Sequence, residues 1–171
     1  FATFNCWFHE LTGVHMRLYT ITDWLGLLPV SICLLFGVVG FVQLIQRRSL
    51  LKVDFDILLL GIYYVLVILA YFIFEMIPIN YRPILIEGRL EASYPSSTTL
   101  LVLCVMPTLG FWVNRRLKHA AVKRIIDLAT ILFSLFMVIG RLISGVHWLT
   151  DIVGSVLLSC GLFCVYKAIV L

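Results

Sequence analysis

Residues 55–77 read FDILLLGIYYVLVILAYFIFEMI, with their two charges, Asp56 and Glu75, near the ends. A helix needs about 20 mostly apolar residues to cross a bilayer, because lipid offers its backbone N–H and C=O groups no other partner. This stretch qualifies, and four more join it: Ile21–Ile45, Thr99–Val113, Ile125–Ile143 and Thr150–Leu171. The third span in chain order, Thr99–Val113, is short, but Ser96, Ser97 and Thr98 can extend it as a polar cap. The whole chain agrees, since 62% of its 171 residues are hydrophobic and only 13% charged, with a mean hydropathy of +1.08. A soluble domain of this size cannot bury that much apolar surface. The same figures exclude disordered, fibrous and disulfide-rich secreted classes. The chain therefore reads as one all-α integral membrane domain over residues 1–171, with five transmembrane helices.

Ahead of the first span, Phe1, Phe4, Phe8, Leu11 and Val14 or His15 recur near helical spacing, which predicts an N-terminal interfacial amphipathic helix stopped by Gly13. The chain begins with Phe1 rather than Met, so a segment upstream is expected. The five cysteines are scattered. Cys160 and Cys164 share a helical face, but without the spacing of a metal site, so they read as small apolar packing residues. No metal or other cofactor is expected.

Charge placement predicts orientation. Arg47, Arg48 and Lys52 follow the first span, and Arg115, Arg116, Lys118, Lys123 and Arg124 follow the third. Both loops lie on one side, which the positive-inside rule makes the cytoplasm, together with Lys167 near the C-terminus. The basic loops then serve topology and headgroup contact, not nucleic acid. Residues 1–20, 78–97 and 144–149 face outward, in the plasma membrane on this reading.

Arg141 stands at the outward end of the fourth span, where a charge is costly and normally has a partner or a task. Six residues on comes His147, and four further Asp151. If the last helix begins near His147, the two share a face, and the carboxylate can fix the imidazole tautomer and support a nucleophile or base. The outward loop between spans two and three adds Asn80-Tyr81-Arg82-Pro83 and Tyr94-Pro95-Ser96-Ser97-Thr98-Thr99. Pro followed by hydroxyl residues starts a helix whose free N–H groups attract anions. Two arginines, hydroxyls, a helix N-terminus and a carboxylate-backed histidine suit a phosphate.

These residues resemble the type 2 phosphatidic acid phosphatase (PAP2) superfamily, whose motifs are K-x6-R-P, P-S-G-H and S-R-x5-H-x3-D. Arg82-Pro83 matches the end of the first, Pro95-Ser96 the start of the second, and Arg141, His147 and Asp151 the third at its full spacing. The resemblance covers roughly residues 55–165. It implies a metal-free membrane lipid phosphatase, with six spans in the full protein. It further implies that His147 attacks phosphorus to form a phosphohistidine and that Asp151 orients it. Arg82 and Arg141 would hold the phosphate, Ser96 and the amides of Ser97 and Thr98 would complete the cradle, and water would release phosphate.

Two motifs depart from the pattern. Glu75 stands in place of the lysine of the first, and Ser97 and Thr98 in place of the glycine and the histidine of the second, the histidine being the group that in the family protonates the leaving oxygen. A lipid alcohol, with a pKa on the order of water's 15.7, leaves poorly without an acid. A phosphate monoester, with a last pKa of about 6, leaves readily. The pattern thus favours a lipid diphosphate, such as a polyprenyl diphosphate, over a lipid monophosphate. Glu75 is the candidate replacement acid if burial keeps it protonated, with His9 and His15 also on the outward side. The plainer readings are an ion pair from Glu75 to Arg82 or Arg141 and interfacial packing for the histidines. The alternatives to hydrolysis are phosphotransfer to an acceptor lipid, a degenerate lipid-phosphate-binding protein and a transporter. Oligomeric state is not legible.

Overall fold

The computed structural model describes residues 1–171. Its helices are α1 (Ala2–Thr12), α2 (Met16–Leu25), α3 (Leu27–Arg47), α4 (Phe55–Met76), α5 (Ser97–Arg116), α6 (Ala120–Ile143) and α7 (Leu149–Val170), with one 3-10 turn at Leu50–Lys52. Five segments are long and apolar enough to cross a membrane, the first being α2 and α3 together, Met16–Arg47. The protein is an integral, multi-pass membrane protein. The first span corrects the expected Ile21–Ile45. It starts at Met16, and α2 hands over to α3 at Gly26. Hydropathy alone loses α2 because Arg17, Thr20, Thr22 and Asp23 interrupt its apolar residues.

α5 is the central helix, with 56% of its spanning window buried against 17–28% for the others. It packs most extensively on α6 and α7 and also meets α3 and α4. The outer helices leave residues such as Ile62, Leu66, Leu69, Leu132 and Leu157 exposed, as lipid-facing surfaces should be. Inside α5, Pro107 removes a backbone donor. Nearby polar groups are paired across helices: the Tyr63 hydroxyl donates to the Cys104 carbonyl at 3.3 Å, and the Tyr64 and Thr108 hydroxyls meet at 2.9 Å.

Two connections shape one end of the bundle. Between α4 and α5 the chain forms a small hairpin, in which Tyr81 pairs antiparallel with Ala92 and Ile86 with Arg89. Its turn residues, Glu87 (φ +48°) and Gly88 (φ +76°), are both left-handed, the geometry of a type I′ turn. Between α6 and α7, Gly145 has φ +68°, and a Cβ there would stand 2.0 Å from the Gly13 carbonyl oxygen. Only glycine admits that approach. The α1–α2 junction is thereby clamped on, with the His15 N–H donating to the Ser144 carbonyl at 2.9 Å and His9 Nε2 to the Gly145 carbonyl at 3.1 Å. His9 also packs on Trp148, and His15 Nε2 bonds the Thr12 carbonyl at 2.9 Å. Both histidines are thus engaged in holding this end together.

Candidate functional site

His147 lies in the turn just before α7 and is only 4% exposed. α7 begins at Leu149 with Trp148 as its N-cap, so His147 and Asp151 do not share a helical face as the sequence suggested. Asp151 instead caps the helix, and its Oδ2 accepts the Trp148 N–H at 2.9 Å. His147 Nδ1 is 3.9 Å from that oxygen, too far for a hydrogen bond. Its closer partner is Ser93, whose carbonyl oxygen lies 3.1 Å away and whose hydroxyl lies 3.2 Å away. A carbonyl can only accept, so Nδ1 carries the proton and Nε2 the lone pair. The Ser93 hydroxyl in turn donates to Asp151 Oδ2, and Asn80 Nδ2 donates to Asp151 Oδ1 at 2.8 Å. Asp151 therefore acts on the imidazole chiefly through Ser93.

Burial holds His147 well below the usual imidazole pKa, and the nearby charges of Arg82 and Arg141 push the same way against the Ser93 carbonyl. The ring is neutral at pH 7, which a nucleophile requires.

The hairpin delivers Arg82. Its N–H donates to the Glu91 carbonyl at 3.1 Å, its Nη2 pairs with Glu91 Oε2 at 3.1 Å, and its Nε reaches the Ala92 carbonyl at 3.4 Å. Arg141, in the last turn of α6, is 1% exposed. Its Nη2 donates to Asp23 Oδ1 at 2.9 Å and to the Thr98 hydroxyl. Both guanidinium groups lie against the Tyr19 ring, with the central carbon of Arg141 4.7 Å and that of Arg82 5.8 Å from its centroid.

Five buried side-chain nitrogen or oxygen atoms in the molecule lack a hydrogen-bond partner. One sits on each of the three central residues: Arg82 Nη1, Arg141 Nε and His147 Nε2. A fourth is Asn80 Oδ1, on the side chain that holds Asp151. Leaving such groups unpaired is costly, and their concentration here marks a place prepared for a ligand with several oxygens.

A cavity of about 230 Å³ is lined by Glu75, Arg82, Glu91, Tyr94, Ser97 and His147, among others. Beside it runs an apolar groove of about 400 Å³ between α3, α4 and α5, lined by Leu27, Val30, Val67, Ile68 and Leu101. Tyr71 and Ser97 line both spaces. Asp23 and Thr98 stand in the wall of the groove, while Arg141 lies behind them. Ser96 is fully buried, and its hydroxyl donates to Thr99 at 3.0 Å rather than into the cavity. Glu75 makes no ion pair. Arg82 takes Glu91 and Arg141 takes Asp23 instead.

Ser93, Glu91, Tyr19 and Asp23 escaped sequence reading. Ser93 stands two residues before Pro95 of the second motif, which is the one signal that pointed near it.

A family model described as the PAP2 superfamily matches residues 64–171. No curated protein matches the chain. Among solved structures, the chain is similar to the first transmembrane PAP2-type phosphatidylglycerolphosphate phosphatase from Bacillus subtilis. The TM-score is 0.60 at 18% identity, covering 98% of this chain and 92% of that one. At that identity the likeness speaks to the fold.

Proposed function

The chain belongs to the PAP2 superfamily, whose model spans more than half of it, and on that premise we propose that it is a membrane lipid phosphatase acting through a phosphohistidine. One observation carries this reading: Arg82, Arg141 and His147 each keep one buried nitrogen without a partner. Anionic oxygens would complete the two guanidinium groups, while phosphorus is the electrophile for His147 Nε2.

In the first step Nε2 attacks phosphorus. A N–P bond forms as the bond to the leaving oxygen breaks, and the positive charge on the imidazole is stabilised by Ser93 and Asp151. In the second, water attacks the phosphohistidine, the N–P bond breaks, and orthophosphate leaves. The arginines would stabilise the charge on the phosphoryl oxygens in both steps. The Ser97 N–H would share this task, since Ser97 begins α5 and lines the cavity.

The substrate class follows from the leaving group. Thr98 occupies the position of the family's acid and its hydroxyl is engaged by Arg141, and threonine has no proton to give near neutral pH. A lipid diphosphate avoids the difficulty, since the departing lipid monophosphate, with a last pKa of about 6, needs no proton. Glu75, the candidate acid for a monophosphate, lines the cavity without an ion pair, but it is exposed and lacks the burial that role called for. The groove beside the cavity suits the hydrocarbon chain of such an amphiphile. The site faces outward and the C-terminus the cytoplasm on the charge rule applied to the basic loops. Transfer of the phosphoryl group to an acceptor lipid in place of water uses the same first step.

The test is phosphate release by the detergent-purified protein from a polyprenyl diphosphate and from phosphatidate, beside His147→Ala. Release that is faster from the diphosphate and lost in the variant supports the reading. Faster release from phosphatidate overturns the leaving-group argument. Binding of both lipids without release would make the protein a lipid-phosphate-binding relative. Full activity in Glu75→Gln would remove Glu75 from the chemistry.

A further inference from the structure

α2 lies upstream of the matched region, yet it supplies most of what touches Arg141. Asp23 Oδ1 accepts from Nη2 at 2.9 Å, the Tyr19 carbonyl from Nη1 at 3.4 Å, and the Tyr19 ring covers the guanidinium. Tyr19 and Asp23 are four residues apart and so share a face of α2. The approach depends on Gly140, where a Cβ would come within 2.8 Å of the Thr22 methyl.

Nε and Nη2 form one edge of the guanidinium, the fork that takes two oxygens of a phosphate. Asp23 and the Thr98 hydroxyl both accept from Nη2, and the neighbouring Nε is left without a partner. Asp23 is thus the one carboxylate paired with this guanidinium, beside a nitrogen left open. Asp23 is also the accessible member of the pair, with its side chain 57% exposed against 2% for Arg141. The other arginine, Arg82, also has a carboxylate partner, Glu91 on Nη2 at 3.1 Å, but there Nε is bonded to the Ala92 carbonyl and Nη1 is the nitrogen left open.

We propose that Asp23 is a built-in counter-anion that competes with phosphate for Arg141, so that α2 sets the affinity of the site for substrate and product. An empty site then keeps its buried guanidinium compensated. A bound phosphate displaces the carboxylate, and the returning carboxylate helps expel orthophosphate after hydrolysis. This rests on the phosphate-site reading above.

The experiment measures inorganic phosphate binding to the purified full chain by calorimetry, separately from turnover, for wild type, Asp23→Asn and Asp23→Glu. Removing the charge in Asp23→Asn is expected to tighten phosphate binding about tenfold, the low end for a hydrogen bond to a charged group. Asp23→Glu, which keeps the charge, is expected to stay within about threefold of wild type on the same scale. Unchanged or weaker binding in Asp23→Asn overturns the proposal, as does equal tightening in both variants. A wild type that releases phosphate from lipid while Asp23→Asn shows no tightening defeats this proposal alone. A wild type without hydrolysis whose Asp23→Asn variant still tightens defeats the hydrolase reading alone.

Discussion

The two ends of the helix bundle treat their charges in opposite ways. At the end opposite the site, Arg47 pairs with Asp54 at 2.7 Å and Arg116 with Asp56 at 2.6 Å, on side chains 19–43% exposed. Gln43 adds a bond to Asp54 at 3.0 Å. Both arginines are exposed, and the one buried nitrogen without a partner at this end is the uncharged Trp112 Nε1, beneath Arg116. At the site end Arg141 and His147 are buried, Arg82 is partly buried, and each keeps one buried nitrogen unmet. Exposed, mutually satisfied pairs contribute little to stability and need nothing further. Buried, incomplete groups cost stability until something arrives to complete them. On the proposed function, the difference separates charges that need no further partner from charges that a ligand would complete.

The sharpest way to break this comparison is to remove the proposed nucleophile. His147→Ala should lower phosphate release from a lipid diphosphate by about 10⁴-fold or more while the protein still folds. Replacing the forks comes next. Arg82→Lys and Arg141→Lys keep charge but lose planar two-point bonding, and each should cost about 10²- to 10³-fold in kcat/KM. Ser93→Ala removes the hydroxyl between His147 and Asp151 but leaves the carbonyl, so a loss of about 10- to 100-fold is expected in kcat. At the opposite end, Arg116→Gln should shift stability by about 0–1 kcal/mol and leave kcat/KM unchanged. A large loss of activity there would erase the contrast.

Acid should also act on the two ends in different windows. The folded pKa of His147 is depressed by burial first and by the two arginines second. The unfolded chain therefore takes up that proton first, and the stability His147 retains above about pH 6.5 declines as pH falls below it. Asp54 is depressed by its hydrogen bond with Arg47, so its contribution is present above about pH 4 and is lost as pH falls through its folded value. Denaturation midpoints followed against pH should show His147→Asn flattening the upper window and Asp54→Asn the lower.

Much of this was legible in the residues. Hydropathy located all five spans because each is a local property of some twenty residues, and the spacing of Arg141, His147 and Asp151 is likewise local. Hydropathy under-read α2, because Arg17 and Asp23 belong to a helix whose place is fixed by packing against α6. Ser93 and Glu91 reach the site through the hairpin, and Tyr19 and Asp23 through a contact with Arg141, 122 and 118 residues away in sequence. No periodicity announces such partners. The contact between His147 and Asp151 was foreseen, but its form was not, because the helix begins two residues after His147.

The central claim is that the unmet Nε2 of His147 is the atom that takes the phosphoryl group. Brief reaction of the detergent-purified protein with a ³²P-labelled polyprenyl diphosphate, followed by alkaline denaturation, tests it most directly. The account predicts an acid-labile, alkali-stable label on wild type that maps to His147 and is absent from His147→Ala. Label on another residue, or undiminished phosphate release from His147→Ala, would contradict it.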